Sequence, residues 1–251
     1  MRFLFVSHSV RRLAQIACLS ALSGAYAFAG FITFAGEDLN AGPGGPFTNS
    51  DAAAASFATA AGAIGSIGTI TFDSAPLGAF TALTVAPGVT ASGPAGLSIN
   101  NTPNLPSNPS LDGFSITPGG QYIEDQAGTL TFTFASPVQF FGAYFTGLQI
   151  YYAQDTITFN DGSPETINAL ETGTGSGVGA VNFLGFTDAG NAISSITITS
   201  NTGGAGTDYI GVDDVMYQSQ TAVPEPASIG LVLIAFLGLI LAYRAKSVRR
   251  V

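Results

Sequence analysis

Alternating polar and apolar residues dominate the middle of the chain. Two segments show the pattern best, Thr-Leu-Thr-Phe-Thr-Phe at 129–134 and Ile-Ser-Ser-Ile-Thr-Ile-Thr at 193–199. Successive side chains of a strand point to opposite faces, so this period predicts antiparallel strands with one face buried and one solvated. The predicted strands are Phe31–Phe34, Gly68–Asp73, Gly78–Val85, Leu97–Ile99, Phe114–Thr117, Gly128–Phe134, Val138–Phe145, Thr156–Asn160, Glu165–Leu170, Ala180–Phe186, Ile193–Ser200 and Tyr209–Tyr217.

One short helix interrupts this pattern near the start. The alanine-rich segment Asp51–Ala61 has high helix propensity, Ser50 or Asp51 is its expected N-cap, and Gly62 is expected to end it. Short fragments such as Ile-Thr-Phe recur, but at irregular spacing, which excludes a solenoid or propeller. The sequence therefore predicts an all-β fold over residues 30–222, an antiparallel β-sandwich of jelly-roll type with one short N-terminal helix.

The charges are strongly segregated along the 251 residues. The formal net charge is −9, and no Lys or Arg occurs between Leu13 and Tyr243. The single His8 and the single Cys18 also lie near the N-terminus. The predicted sandwich thus carries acids without any basic side chain.

This composition excludes several kinds of chemistry in the sandwich. Ser-His-Asp and Cys-His nucleophile systems need an imidazole base, and zinc sites need His or Cys ligands. Nucleic acid is excluded as a partner because binding phosphates requires Lys or Arg. We therefore expect no catalytic residues, although a hydrolase that uses carboxylates alone is left open, since its two acids need only converge in space.

Both ends of the chain are typical of targeting segments. Arg2, Arg11 and Arg12 precede the apolar run 13–22, and alanines in A-x-A spacing follow. This order predicts a secretory signal peptide over residues 1–29, removed by signal peptidase after Ala27 or Ala29. At the other end, residues 227–243 form an uncharged apolar stretch of about 26 Å as a helix, which predicts a transmembrane helix.

The sequence around that helix resembles a known sorting signal. Val223, Pro224, Glu225 and Pro226 precede the helix, and a basic tail over 244–251 follows it. The tail's basic residues are Arg244, Lys246, Arg249 and Arg250. In this order, residues 223–251 resemble the PEP-CTERM sorting segment of Gram-negative bacteria.

The resemblance implies recognition of the motif at 223–226 by an exosortase-type membrane enzyme. It also implies an inner-membrane-anchored precursor that is later released to the cell envelope or an extracellular polysaccharide matrix. The basic tail predicts a cytoplasmic C-terminus, because positive charge favours the cytoplasmic side. The chain is thus expected to be an exported, non-enzymatic protein with a structural or exopolysaccharide-associated role.

Carboxylates are the candidate ligands in the sandwich. In the last predicted strand, residues 210, 212, 214 and 216 should share one face, and 211, 213, 215 and 217 the other. Asp213 and Asp214 then lie on opposite, mostly apolar faces, so at least one of them should be flanked by apolar residues unless a bulge intervenes. A buried carboxylate without a basic partner needs backbone donors or a cation. Calcium is the natural cation for oxygen ligands. The candidate calcium ligands are Asp73, Asp208, Asp213 and Asp214.

A "Phe-acid" early strand and a closing Val-Asp-Asp-Val strand are similar to jelly-roll domains of the MAM and carbohydrate-binding type. That resemblance implies a structural cation at Asp73 and the Asp213–Asp214 pair. Aspartates that cap loop amides without a metal are the alternative. Tyr151 and Tyr152 precede a predicted turn, where they are candidates for stacking on sugar rings. The alternative function is therefore a calcium-dependent carbohydrate-binding or adhesion module.

Overall fold

The computed structural model describes residues 31–103, 113–126, 129–148, 156–160, 165–168, 180–199 and 209–219. The predicted signal peptide, the sorting motif, the apolar helix and the basic tail all lie outside these residues. Among the described residues, no helix is both long and apolar enough to cross a membrane.

Twelve strands and one helix make up the described part of the chain. In chain order they are β1 (Ile32–Leu39), α1 (Thr48–Ile64), β2 (Ile67–Ile70), β3 (Gly78–Ala86), β4 (Val89–Asn100), β5 (Tyr122–Gln126), β6 (Thr129–Val138), β7 (Phe140–Leu148), β8 (Thr156–Asn160), β9 (Glu165–Asn168), β10 (Ala180–Thr187), β11 (Ile193–Thr199) and β12 (Tyr209–Gln218). The predicted all-β class with one N-terminal helix is confirmed.

All strand pairs are antiparallel and belong to one hydrogen-bonded sheet. Its order is β1-β10-β7-β12-β5-β4-β6-β11-β8-β9, with β2 beside β12 and β3 beside β4. The sheet curls so that its two halves face each other. Phe132 of β6 lies 5.6 Å from Phe141 of β7, and Phe134 lies 6.0 Å from Tyr217 of β12, between ring centroids. These strands are not neighbours in the order, so their contacts cross the core.

Strand β4 connects the two halves. Its first part pairs with β6 through residues 89–92, and its last part pairs with β5 through residues 97–100. The segment Gly93–Gly96 between them makes the corner, and a Cβ at Gly93 would collide with the carbonyl oxygen of Thr129. We call the half with β1, β10, β7, β12, β5 and β2 the helix layer. We call the half with β6, β11, β8, β9, residues 89–92 of β4 and residues 82–86 of β3 the open layer.

The outer face of the helix layer is covered by α1. Phe57, fully buried, packs against Phe34, Phe140 and Phe183 at centroid distances of 5.7, 6.0 and 5.5 Å. Its ring lies over Gly142 and Gly185, which are register partners on β7 and β10. A Cβ added at Gly185 would approach the Phe57 ring to 3.0 Å. The glycine pair therefore forms a slot for the ring, and the helix adds a second core outside the sheet.

The helix begins earlier than predicted, and neither predicted residue caps it. Ser50 is inside the helix and buried, with its hydroxyl 3.0 Å from the Val181 carbonyl oxygen. The cap comes from β1 instead, where Asp38 accepts hydrogen bonds from the backbone N–H of Asn49 and Ser50 at 2.9–3.1 Å. The helix also continues past Gly62 to Ile64.

Three other elements differ from the sequence prediction. Residues 114–117, predicted as a strand, are loop, while β5 at Tyr122–Gln126 was not predicted. Strand β4 extends back from the predicted Leu97–Ile99 to Val89. The jelly-roll connectivity itself stays a prediction.

Candidate functional site

Strand β12 carries the candidate aspartates, and a β-bulge sets their orientation. The register with β7 shifts between Asp213 and Met216, and Asp214 has a positive φ of 43°. Before the bulge, Ile210 and Val212 enter the inner core, and after it Val215 and Tyr217 do so. The predicted alternation through 210, 212, 214 and 216 is therefore wrong, because the extra residue reverses the phase of the strand.

The bulge coincides with a change of neighbour along one edge of β12. Residues 209–212 pair with β5, whereas residues 215–218 pair with β2. Asp213 lies at the opening between the two neighbours and is only 1% exposed. The loop over 113–121 fills this opening. The hydrogen-bond donors for the Asp213 carboxylate therefore come from both the loop and the strand.

Three protein donors bind the Asp213 carboxylate. The Ser115 hydroxyl and the Ile116 N–H donate to its Oδ2 at 2.8 and 3.1 Å. The N–H of Asp214 donates to its Oδ1 at 2.8 Å. Thr146 fixes the start of the same loop, since its hydroxyl donates to the Phe114 carbonyl and accepts from the Phe114 N–H, both at 2.8 Å.

Asp73 borders the same opening from the segment after β2, because that strand ends at Ile70 and not at Asp73 as predicted. Its Oδ1 accepts the Gln121 N–H at 2.9 Å, which joins the chain after β2 to the start of β5. The residue before it, Phe72, is buried and has a positive φ of 59°. Asp73 lies near enough to Asp214 for its charge to act on that carboxyl. Asp208, the fourth predicted ligand, lies outside the described residues.

Burial and mutual charge raise the pKa values of both β12 aspartates. Desolvation raises the pKa of Asp213 from 3.8 to about 7, against its hydrogen bonds, which lower it. Desolvation also raises the pKa of Asp214, and the charge of Asp73 adds to the rise. With no basic residue in the sandwich, these carboxylates gain stability only from hydrogen bonds or from an added cation.

Three of the described acids accept hydrogen bonds from backbone amides of other elements or loops. Asp38 binds the start of α1, Asp73 binds the Gln121 N–H, and Asp213 binds the Ile116 N–H. Within the described residues, no three acids, histidines or cysteines are arranged to hold a metal ion. Calcium binding at Asp73, Asp213 and Asp214 stays a prediction.

Sequence reasoning missed two features of this part of the molecule. Ser115 was assigned to a strand, although the following Pro118-Gly119-Gly120 is a loop signal. An open groove of about 600 Å³ also lies beside the start of α1, lined partly by Asp38, Asn40 and Asn49. The predicted sugar-stacking residues Tyr151 and Tyr152 lie outside the described residues.

The fold places the chain among all-β proteins built on a curled antiparallel sheet. No known family model matches the sequence, and no curated protein does either. Among solved structures, it is similar to the K1 cleaved adhesin domain of Lys-gingipain from Porphyromonas gingivalis W83, at 11% identity, covering 62% of this chain and 100% of that one, with a TM-score of 0.36.

Two further solved structures are similar at comparable distance. A mutant of the carbohydrate-binding module CBM29-2 is 14% identical, covering 64% of this chain and 99% of that one, with a TM-score of 0.33. A GH87 α-1,3-glucanase catalytic domain in complex with nigerose is 16% identical, covering 64% of this chain and 30% of that one, with a TM-score of 0.30. All three are too distant to transfer a function.

Proposed function

We propose that this chain is an exported, non-enzymatic protein of the cell envelope or extracellular matrix, sorted through its C-terminal segment. The observation that carries the proposal is the charge map, in which every Lys and Arg lies before Leu13 or after Tyr243. Such a distribution fits basic signal and anchor flanks around an acidic exported domain. The order of the motif, the apolar helix and the basic tail within residues 223–251 also supports the proposal.

The placement of the described acids supports a structural role for the sandwich. Glycoside hydrolysis with carboxylates alone needs two acids across a cleft, about 5 to 10 Å apart. Asp213 instead lies buried under the 113–121 loop, and Asp38 holds the first turn of α1. These residues stabilise loops and a helix end, which is what a stable extracellular scaffold requires.

The sorting proposal predicts a two-step loss of mass. The full chain, produced in a Gram-negative host with an exosortase-type enzyme, should lose its first 27 or 29 residues and its membrane anchor. We expect intact-mass analysis to detect both cleavages. A Pro224→Ala/Glu225→Ala variant should keep the C-terminal anchor and stay in the inner-membrane fraction.

The matched control is Thr221→Ala, which lies beside the motif and should be processed like the parent. The full chain in the cytosol with both ends intact would contradict the proposal. If the double variant were processed at the parental rate, the motif would not be what the processing enzyme recognises.

A calcium-dependent carbohydrate-binding or adhesion module is the second candidate function. The observation that favours it is the raised pKa of Asp214, caused first by desolvation and then by the charge of Asp73, in a sandwich without basic residues. A bound calcium ion would relieve that repulsion.

If calcium binds there, millimolar calcium should raise the Tm and EDTA should reverse the gain, because a ligand of the native state stabilises it. The measurement is thermal unfolding of the parent and of Asp73→Asn with and without calcium. The variant should show no calcium-dependent rise in Tm. If calcium left the Tm of the parent unchanged, the calcium-dependent module would be ruled out.

A further inference from the structure

The outer face of the open layer carries a regular array of hydroxyl groups. The inward residues of its strands, such as Leu130, Phe132 and Ile196, lie in the core, so the alternate residues face outward. The strand registers align these outward residues in rows across the sheet. The hydroxyl grid consists of Thr84, Thr90, Thr133 and Ser195 in one row, Ser92, Thr131 and Thr197 in the next, and Thr129 and Thr199 in a third.

The grid has a short, nearly uniform spacing. Neighbouring strands place hydroxyls about 4.8 Å apart, and alternate residues along a strand lie about 6.7 Å apart. Thr131 and Thr197 share a hydrogen bond of 3.1 Å between their Oγ1 atoms. A hydroxyl offers one donor and two acceptor positions, so each side chain keeps capacity for an external partner. Thr131 and Thr197 are half-buried, whereas Thr133 is exposed.

The grid is uncharged within an otherwise acidic sandwich. Strands β3, β4, β6 and β11 contain no charged residue. The acids of the described strands and helix lie mainly in the helix layer and α1, including Glu37, Asp38, Asp51, Asp213 and Asp214. The surrounding negative field repels anionic polymers, while the grid presents neutral hydrogen-bonding groups.

From this arrangement we infer that the hydroxyl grid is a docking face for an uncharged polysaccharide. A neutral glycan presents repeated hydroxyls along an extended chain, and these can replace the water that otherwise bonds to the threonines. Binding through neutral hydroxyls requires no metal ion and changes little with salt. The inference rests on the proposed export to a polysaccharide matrix and names the class of partner.

The test is a retention assay with the full chain in mild detergent, in the presence of EDTA. The probes are microcrystalline cellulose and insoluble β-1,3-glucan as neutral polymers. The anionic polymer is alginate coupled covalently to agarose beads, since EDTA would dissolve beads that are gelled with calcium. We expect retention on a neutral polymer and none on alginate. The Thr131→Val/Thr133→Val/Thr197→Val variant should bind about tenfold or more weakly, since three hydroxyls of the grid lose their hydrogen bonds to the glycan.

Valine keeps the β-branched shape that suits a strand, so the triple variant should fold, and circular dichroism checks this. The matched control is Thr33→Val, an exposed threonine on β1 in the other layer, which should bind like the parent. Retention on alginate alone, equal binding by the triple variant, or no retention on either neutral polymer would overturn the inference. Retention that occurs without EDTA and disappears with EDTA would overturn the inference too, and would indicate that the glycan binds at the aspartates. None of these results depends on C-terminal sorting.

Discussion

Replacing Phe57 by alanine should cost the protein about 3–5 kcal/mol of unfolding free energy, the range for deleting a fully buried aromatic ring. The ring is the centre of the second core, where it contacts Phe34, Phe140 and Phe183. The slot over Gly142 and Gly185 has no side chain of its own to fill the space. We therefore expect the substitution to leave a cavity. The resulting loss of stability should appear as a lower midpoint of chemical denaturation.

The matched control lies one position earlier on the same helix. Ser56 is exposed, and its hydroxyl donates to the Ala52 carbonyl oxygen within the helix at 2.9 Å. Ser56→Ala should therefore change stability by no more than about 0.5 kcal/mol. A loss in Phe57→Ala no larger than that in Ser56→Ala would mean that the ring contributes little through its contacts with the sheet.

Stability should fall as pH rises from about 4 to about 7, because of Asp213. Its pKa of about 7 in the folded chain exceeds its ordinary value of 3.8. Between these two values the native state keeps a proton that the unfolded chain has released, so the native state is favoured at the acid end. A shift of about three units corresponds to at most about 4 kcal/mol. Above pH 7 the loss is complete and the curve should flatten.

Asp213→Asn removes this titration and tests the assignment. The measurement is the free energy of unfolding from pH 4 to pH 8 in EDTA, since a bound cation would favour the charged form. The slope is the informative quantity, because asparagine also loses an acceptor for the Ile116 N–H and so costs stability at every pH. If parent and variant kept the same slope, Asp213 would not be the titrating group.

The sequence predicted the strands whose alternation is regular, and it failed where burial breaks that rule. In β6 and β11 the threonines lie outward and the apolar residues inward. In β5, by contrast, Glu124 and Asp125 are buried beside Tyr122 and Ile123, so no polar-apolar period is visible. The cap of α1 could not be predicted from the sequence either, because the carboxylate that caps the helix belongs to Asp38 of β1.

The candidate site could likewise be predicted only in part from the sequence. The sequence pointed to β12 and to Asp73, since a Phe-acid strand and a double aspartate stand out in apolar segments. It could not predict which aspartate is buried, because the bulge at Asp214 depends on where β5 ends and β2 begins beside β12. That change of neighbour is a property of the assembled sheet.

The position of β12 has a mechanical consequence for a protein held by its C-terminal segment. This strand is the last one before the sorting motif, and it pairs with β7 on one side and with β5 and β2 on the other. Pulling on the tether would load those hydrogen bonds in shear, so many must break together. Attachment through β1, at the edge of the sheet order, would instead allow the bonds to open one after another. For the membrane-anchored precursor of the proposed sorting route, attachment next to β12 would therefore resist pulling better than attachment next to β1.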